Sequence, residues 1–292
     1  MRTQTDLQGA AGLAWLSRLP EIVDACARRW NLTVAGMMAP LTYNFLVSAL
    51  LQNRRPVVLK ICPPDGEFTS QRAALAHLAG SGVVELLDSD ETDNVLLLER
   101  CLPGHSLRAR TDGEAIEIAG SLMRRLWASG PADSDFPSLA DWGRGFARLR
   151  RHFQGTGPFP VALVERAERT FSAFSPTAEN VVLLHGDLHH DNILAAERQP
   201  WLAIDPKGVL GIAAYEPATF VINQTAEALA ATDLRRFLTR RVDGLAESAG
   251  LDRTEVREWA VAHAVLSAWW TVEDHGRIDE FTLACASALA CD

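Results

Sequence analysis

The chain has 292 residues, 28 Lys+Arg against 37 Asp+Glu for a formal charge of −9, and 48% hydrophobic residues. This composition excludes a disordered chain, gives length enough to bury about three quarters of the unfolded surface in one large or two modest domains, and argues against a nucleic-acid-binding face, which would carry a basic stripe. The acidic balance suits a cationic small molecule. Cys26, Cys62, Cys101, Cys285 and Cys291 are odd in number and lack Cys-x-x-Cys spacing, so neither a disulfide framework nor a structural zinc site is expected. No secretory signal is read in residues 1–20, and the apolar run 260–272 is too short to span a bilayer, which points to the cytoplasm and to no membrane partner.

In chain order, Leu13, Leu16 and Leu19 predict an amphipathic helix ended by Pro20, with a second helix over residues 22–30. Runs 32–34, 43–51 and 57–61 read as strands, the last two joined as a hairpin by the polar turn 52–56. Residues 68–78 read as a helix, and 83–87 and 95–99 as two further strands around a turn at 88–94. Leu102-Pro103-Gly104 reads as a linker, dividing a lobe of residues 1–101 from a largely helical lobe of residues 102–292. In the second lobe helices are expected over 115–127 (closed by Gly130 and Pro131), 141–153, 161–174 and 254–271, with buried strands at 181–184 and 201–204. Asp252 and Glu255 have capping-box spacing, and Trp259, His263, Leu266 and Trp270 form the expected inner stripe of the last helix. Asp141 and Trp142 read as a helix start with its packing anchor.

The densest polar cluster is LLHGDLHHDNIL, residues 183–194, between two apolar runs. Asp187 directly follows a buried strand, Asn192 lies five residues on, and a second strand delivers Asp205. A loop carboxylate, a loop amide oxygen and a strand-end carboxylate can together orient a hydroxyl and hold magnesium through oxygen ligands, as phosphoryl transfer requires. His185, Asp187, His189, His190 and Asp191 also invite a zinc reading, which needs a further ligand from elsewhere and an open water position.

HGDLHHDNIL followed by WLAIDPKG resembles the aminoglycoside/hydroxyurea phosphotransferase family, in particular its streptomycin 6-phosphotransferases, within the protein-kinase-like fold. Supporting phrases are VVLK at 57–60, LLLERC at 96–101 and LSAW at 266–269, and the order of elements agrees over about residues 13 to 280. The resemblance implies a two-lobed α+β kinase-like fold with a small sheet-plus-helix N-terminal lobe and a mainly helical C-terminal lobe. It implies ATP and Mg²⁺ as cofactors and a small, cationic hydroxylated acceptor. Asp187 would be the catalytic base, Asn192 and Asp205 the magnesium ligands, Lys60 the partner of the nucleotide's α- and β-phosphates, and His185 a brace for the loop. Glu99 and Cys101 would offer backbone groups to the adenine edge.

Two departures stand out. The glutamate that should fix Lys60 is replaced by Gln71, with Glu67 one turn earlier as a substitute, and the first turn, residues 38–44, has no glycine. On the acceptor side, Trp269, Glu216, Glu273 and Asp274 are the candidates, the carboxylates because guanidinium groups such as those of streptomycin bind carboxylates in a bidentate manner. The expected reaction is transfer of the ATP γ-phosphoryl group to an aminoglycoside hydroxyl. The alternatives are the same chemistry on another small compound such as hydroxyurea, or a nucleotide-binding regulator without turnover.

Overall fold

The computed structural model describes residues 4–38, 44–64, 67–127, 136–174 and 181–291, with side chains from residue 11 onward. The turn at Ala39–Tyr43, where glycines were expected, and the helix-closing pair Gly130 and Pro131 lie outside the described residues.

An antiparallel sheet of five strands, ordered β1-β2-β3-β5-β4, forms the N-terminal lobe: β1 (Thr33–Met37), β2 (Phe45–Leu50), β3 (Pro56–Ile61), β4 (Leu86–Asp90) and β5 (Val95–Glu99). Strand alternation sorts its side chains into two faces. Val57, Leu59, Ile61, Val95 and Leu97 pack with Trp15, Leu19, Ile22 and Cys26 of α1 (Gln4–Arg29). Lys60, Cys62, Leu96 and Leu98 turn the other way, where α2 (Glu67–His77) supplies Phe68, Ala74 and Leu75 to a larger core running on into the helical part. Register thus decides that Lys60 faces the cleft. Helix α1 runs unbroken through Pro20, where two helices were expected. The missing N–H costs about 3 kcal/mol, and the stripe from Trp15 to Cys26, buried on both sides of the proline, outweighs it.

The strand expected at 83–87 also differs. β4 begins only at Leu86, and Val83 and Val84 leave the sheet to meet the other lobe: Val84 N–H donates to the Ala203 carbonyl at 2.9 Å and Ala203 N–H to Gly82 at 2.8 Å. Glycine at 208 lets α2 come close, since a Cβ there would sit 2.8 Å from Ala74.

The remainder is helical around two short hairpin-like sheets. Helices α3 (Asp112–Leu126) and α4 (Leu139–Phe153) each start with a capping box, Thr111 with Glu114 and Ser138 with Asp141. After α5 (Val161–Ala173) come β6 (Val182–Leu184), β7 (Ile193–Ala195), β8 (Trp201–Ala203) and β9 (Val209–Gly211), paired β6 with β9 and β7 with β8. Helices α6 (Pro217–Ile222), α7 (Ala226–Ala230), α8 (Leu234–Ala249), α9 (Arg253–His275) and α10 (Glu280–Ala290) complete the chain. Among the described residues no helix is long and apolar enough to cross a membrane.

Candidate active site

Residues 185–192 span the gap from β6 to β7, and the turn after β8 brings Asp205 back beside them. The tie is backbone: Ile204 N–H donates to the Asn192 carbonyl at 2.9 Å. His185, fully buried, bonds the Ile204 carbonyl through Nε2 at 2.7 Å and accepts the Asp187 N–H on Nδ1 at 3.3 Å. Both ring nitrogens are used by a neutral ring, and burial lowers its pKa to about 4 against the pull of the Ile204 carbonyl. The Asn192 amide nitrogen donates to the Asp187 carbonyl at 2.8 Å and reaches Asp187 Oδ2 at 3.5 Å, leaving Oδ1 of Asn192 as a free-facing hard oxygen.

Asp187 sits in a crowded, partly open position. Desolvation raises its carboxyl pKa, with His189 and Lys207 pulling it down and Asp205 and Glu67 pushing it up. Asp205 has φ of 59°, a left-handed conformation that aims its carboxylate back at the N-terminal lobe. There Lys60 Nζ lies 2.9 Å from Oδ1. Burial works to raise the Asp205 carboxyl, and the Lys60 ammonium beside it, with Lys207 and His185, brings the net shift below the ordinary carboxylate value.

Lys60 is therefore held by Asp205. Gln71, expected to fix it from α2, instead accepts from the Cys62 thiol at 4.0 Å, and Glu67 binds Lys207 Nζ through both oxygens at 2.8 and 2.9 Å. Lys207 went unnoticed in the sequence, although it stands two residues past Asp205 and its charge reaches Asp187 and Asp205.

At the lobe junction Glu99 N–H donates to the Glu85 carbonyl at 2.9 Å, while Glu85 N–H turns to the Glu99 carboxylate at 3.0 Å rather than to the Glu99 carbonyl. Arg198 clasps that carboxylate at 2.8–3.1 Å. The Glu99 carboxylate is thus occupied by Arg198 and the Glu85 N–H. Cys101 is buried and its thiol is pushed up to about 12, so it is inert as a nucleophile.

Two acceptor candidates are corrected. Glu216, at the N-terminus of α6, is 1% exposed and accepts the N–H groups of His185 at 2.7 Å and Gly186 at 2.9 Å. It anchors the loop from behind and cannot meet a ligand; burial lifts its carboxyl to about 7 against those two donors, which favour the charged form. Trp269 is 2% exposed and packs on His152 and Phe153, whereas Trp270 beside it is half-buried. Trp269, expected at a substrate cleft, is therefore a core residue, while Trp270 packs on the core and stays partly open. Glu273 gives both oxygens to Arg148, at 2.6 and 3.0 Å. Asp274 reaches solvent from within a partly desolvated position; that desolvation raises its carboxyl, His275 lowers it, Glu273 and Glu67 raise it, and Lys207 lowers it. His190 is turned inward, its ring stacked on Phe220 at 3.9 Å, and the described residues include no group of three His, Cys, Asp or Glu side chains able to hold a metal as zinc would require.

The chain is similar to known proteins over nearly its whole length. A "Streptomycin 6-kinase" of Streptomyces griseus is 35% identical over 295 residues, covering 97% of this chain and 92% of that protein. Another of Streptomyces glaucescens is 30% identical over 301 residues, covering 96% and 92%. Among solved structures, an aminoglycoside phosphotransferase in ternary complex with ADP and hygromycin B superposes with TM-score 0.63 at 14% identity, covering 91% of this chain and 95% of its own, which shows the shared kinase-like fold. The aminoglycoside/hydroxyurea antibiotic resistance kinase profile matches residues 29–275. On that match and those relatives, the chain belongs to this family of antibiotic resistance kinases, phosphotransferases with a hydroxyl group as acceptor.

Proposed function

We propose that the protein inactivates streptomycin or a closely similar guanidino-aminocyclitol by moving the γ-phosphoryl group of ATP to one of its hydroxyls, with Asp187 as base. What supports this is a chain of contacts: the Asn192 amide on Asp187, the Ile204 N–H beside Asp205 on the Asn192 carbonyl, and Lys60 2.9 Å from Asp205. The acceptor class rests on the streptomycin 6-kinases that the chain resembles over nearly its whole length.

In this reading Asp187 accepts the hydroxyl proton as the acceptor oxygen bonds to phosphorus and the bond from the γ-phosphorus to the bridging oxygen breaks. Its burial makes the carboxylate a stronger base than a solvated one, which helps proton removal. Lys60, held beside Asp205, would pair the α- and β-phosphates and offset their charge. Asn192 Oδ1 and the Asp205 carboxylate are hard oxygen donors of the kind Mg²⁺ prefers, and they would hold it. Bound there, Mg²⁺ neutralises phosphate charge during transfer. The Glu99 carbonyl and Cys101 N–H are the main-chain groups assigned to the adenine edge.

The test is incubation with ATP, Mg²⁺ and separate acceptors, streptomycin, other aminoglycosides and hydroxyurea, read by the acceptor's mass. Phosphorylated streptomycin is expected. Modification of hydroxyurea alone would move the acceptor to the other branch of the family, and ATP binding with no product from any acceptor would remove the assignment.

A further inference from the structure

Helices α4 and α9 cross at glycine distance, since a Cβ on Gly145 would lie 2.6 Å from Leu266. The crossing sets Trp142 and Trp270 edge to face, with ring centroids 5.3 Å apart at 89°. Trp142 in turn reaches the catalytic loop: its ring lies 3.1 Å from where a Cβ on Gly186 would stand, one residue before Asp187. Gly186 has φ of 79°, so both its backbone and this close approach require glycine. Behind the pair stands a firm wall. Tyr215 is 5.8 Å from Trp142, His263 is 6.0 Å from Trp270, and the two are joined by a 2.6 Å hydrogen bond.

Trp259 and Trp269 on the same helix are buried, yet Trp142 and Trp270 are only half-buried. Large rings left partly open beside a reactive carboxylate are binding surface more than core. One helical turn beyond Trp270, on the same face, stands Asp274, close enough to Glu67 and Lys207 to feel both charges. Lys207 in turn feels Asp187, and Glu67 holds its ammonium at 2.8 Å.

We propose that Trp142 and Trp270, with Asp274, form the subsite that holds a planar cationic group of the acceptor while its hydroxyl lies against Asp187. A guanidinium stacks on an indole face and donates two parallel hydrogen bonds to a carboxylate, and this pairing of ring and acid offers both. The subsite rests on the reading of a guanidinium-bearing acceptor made above, and it assigns the acceptor contacts to Trp270 in place of Trp269.

The deciding experiment titrates streptomycin into protein saturated with a non-hydrolysable ATP analogue, and measures kcat and KM in parallel, for wild type, Trp270→Leu, Trp270→Phe, Asp274→Asn and Trp269→Phe. Trp270→Leu is expected to weaken streptomycin binding about tenfold and raise its KM with nucleotide affinity unchanged, while Trp270→Phe keeps most of the binding. Trp269→Phe should lower the melting temperature without moving KM. If Trp270→Leu does not fold, Trp270→Phe and Asp274→Asn decide: a KM unmoved in both overturns the subsite. Streptomycin turned over with an unaltered KM in folded Trp270→Leu sinks the subsite and leaves the kinase reading standing. Streptomycin bound by wild type, released by Trp270→Leu and never phosphorylated supports the subsite and sinks the streptomycin kinase reading. A wild type that neither binds nor modifies streptomycin overturns both.

Discussion

The catalytic segment and the α4–α9 face differ in how tightly their side chains are determined. In residues 185–192 the groups around Asp187 have fixed partners, with the stacked His190 ring the exception: Glu216 holds two N–H groups, His185 uses both ring nitrogens, and Asn192 is tied to Asp187. Beside that loop, Trp142, Trp270 and Asp274 are half-open or exposed, and the ordering there comes from aromatic packing and the Arg148–Glu273 pair. Chemistry that must be reproduced to within fractions of an ångström is built on backbone hydrogen bonds, whereas acceptor recognition is built on surface that can change without unfolding the loop.

The sharpest way to break this contrast is Asp187→Ala. We expect turnover to fall by about 10²–10⁴, with nucleotide affinity by calorimetry retained; appreciable activity would remove Asp187 from the role of base. Next comes Glu216→Ala, which leaves two buried N–H groups without an acceptor and should cost about 2–5 kcal/mol of stability, read from denaturant midpoints. Glu216→Gln, keeping one acceptor oxygen, should cost less. Equal stability of all three proteins would show that the loop is not anchored from behind.

Acid provides a third probe. His185, His190 and His263 are buried and neutral, with folded pKa values of about 4, 3 and 4, below the ordinary 6.5. Between those values the unfolded chain binds more protons, so stability is complete above pH 6.5 and falls as the pH drops toward 4. The slope is up to about 1.4 kcal/mol per pH unit for each histidine. Glu216, raised to about 7 from 4.5, acts oppositely, its folded form holding a proton that the unfolded chain has lost, and offsets one of the three in that window. A melting temperature that stays level from pH 7 to 5 would contradict this. The smallest effect is expected from Arg148→Ala, which removes a partly exposed ion pair and should cost no more than about 1 kcal/mol in the same melts.

Legibility in the sequence followed the same division. Asp187, Asn192 and Asp205 could be singled out because they crowd into one loop and the strand turn after it, and the family resemblance added His185 as the brace. Glu216 could not, because its partners are main-chain groups 30 and 31 residues earlier and nothing in its neighbours marks them. The burial of Trp269 could not be read because α9 is buried almost without interruption from Trp259 to Trp269. A helix covered all round has no stripe to fix its phase, and one residue is a rotation of about 100°. Pro20 was read locally as a stop, whereas the sheet beneath α1 decided otherwise. Helix α10 was missed for want of charge contrast along residues 281–290.

The chain crosses between the lobes just after Glu99, and Gly82–Val84 zip onto Ala203. Arg198 rivets both, donating to Glu99 and, at 2.8 Å, to the Val83 carbonyl. The Lys60–Asp205 and Glu67–Lys207 pairs join the same two parts, so reversing the charge at Arg198 would release its hold on both junctions at once and leave two ion pairs to keep sheet and helices in register.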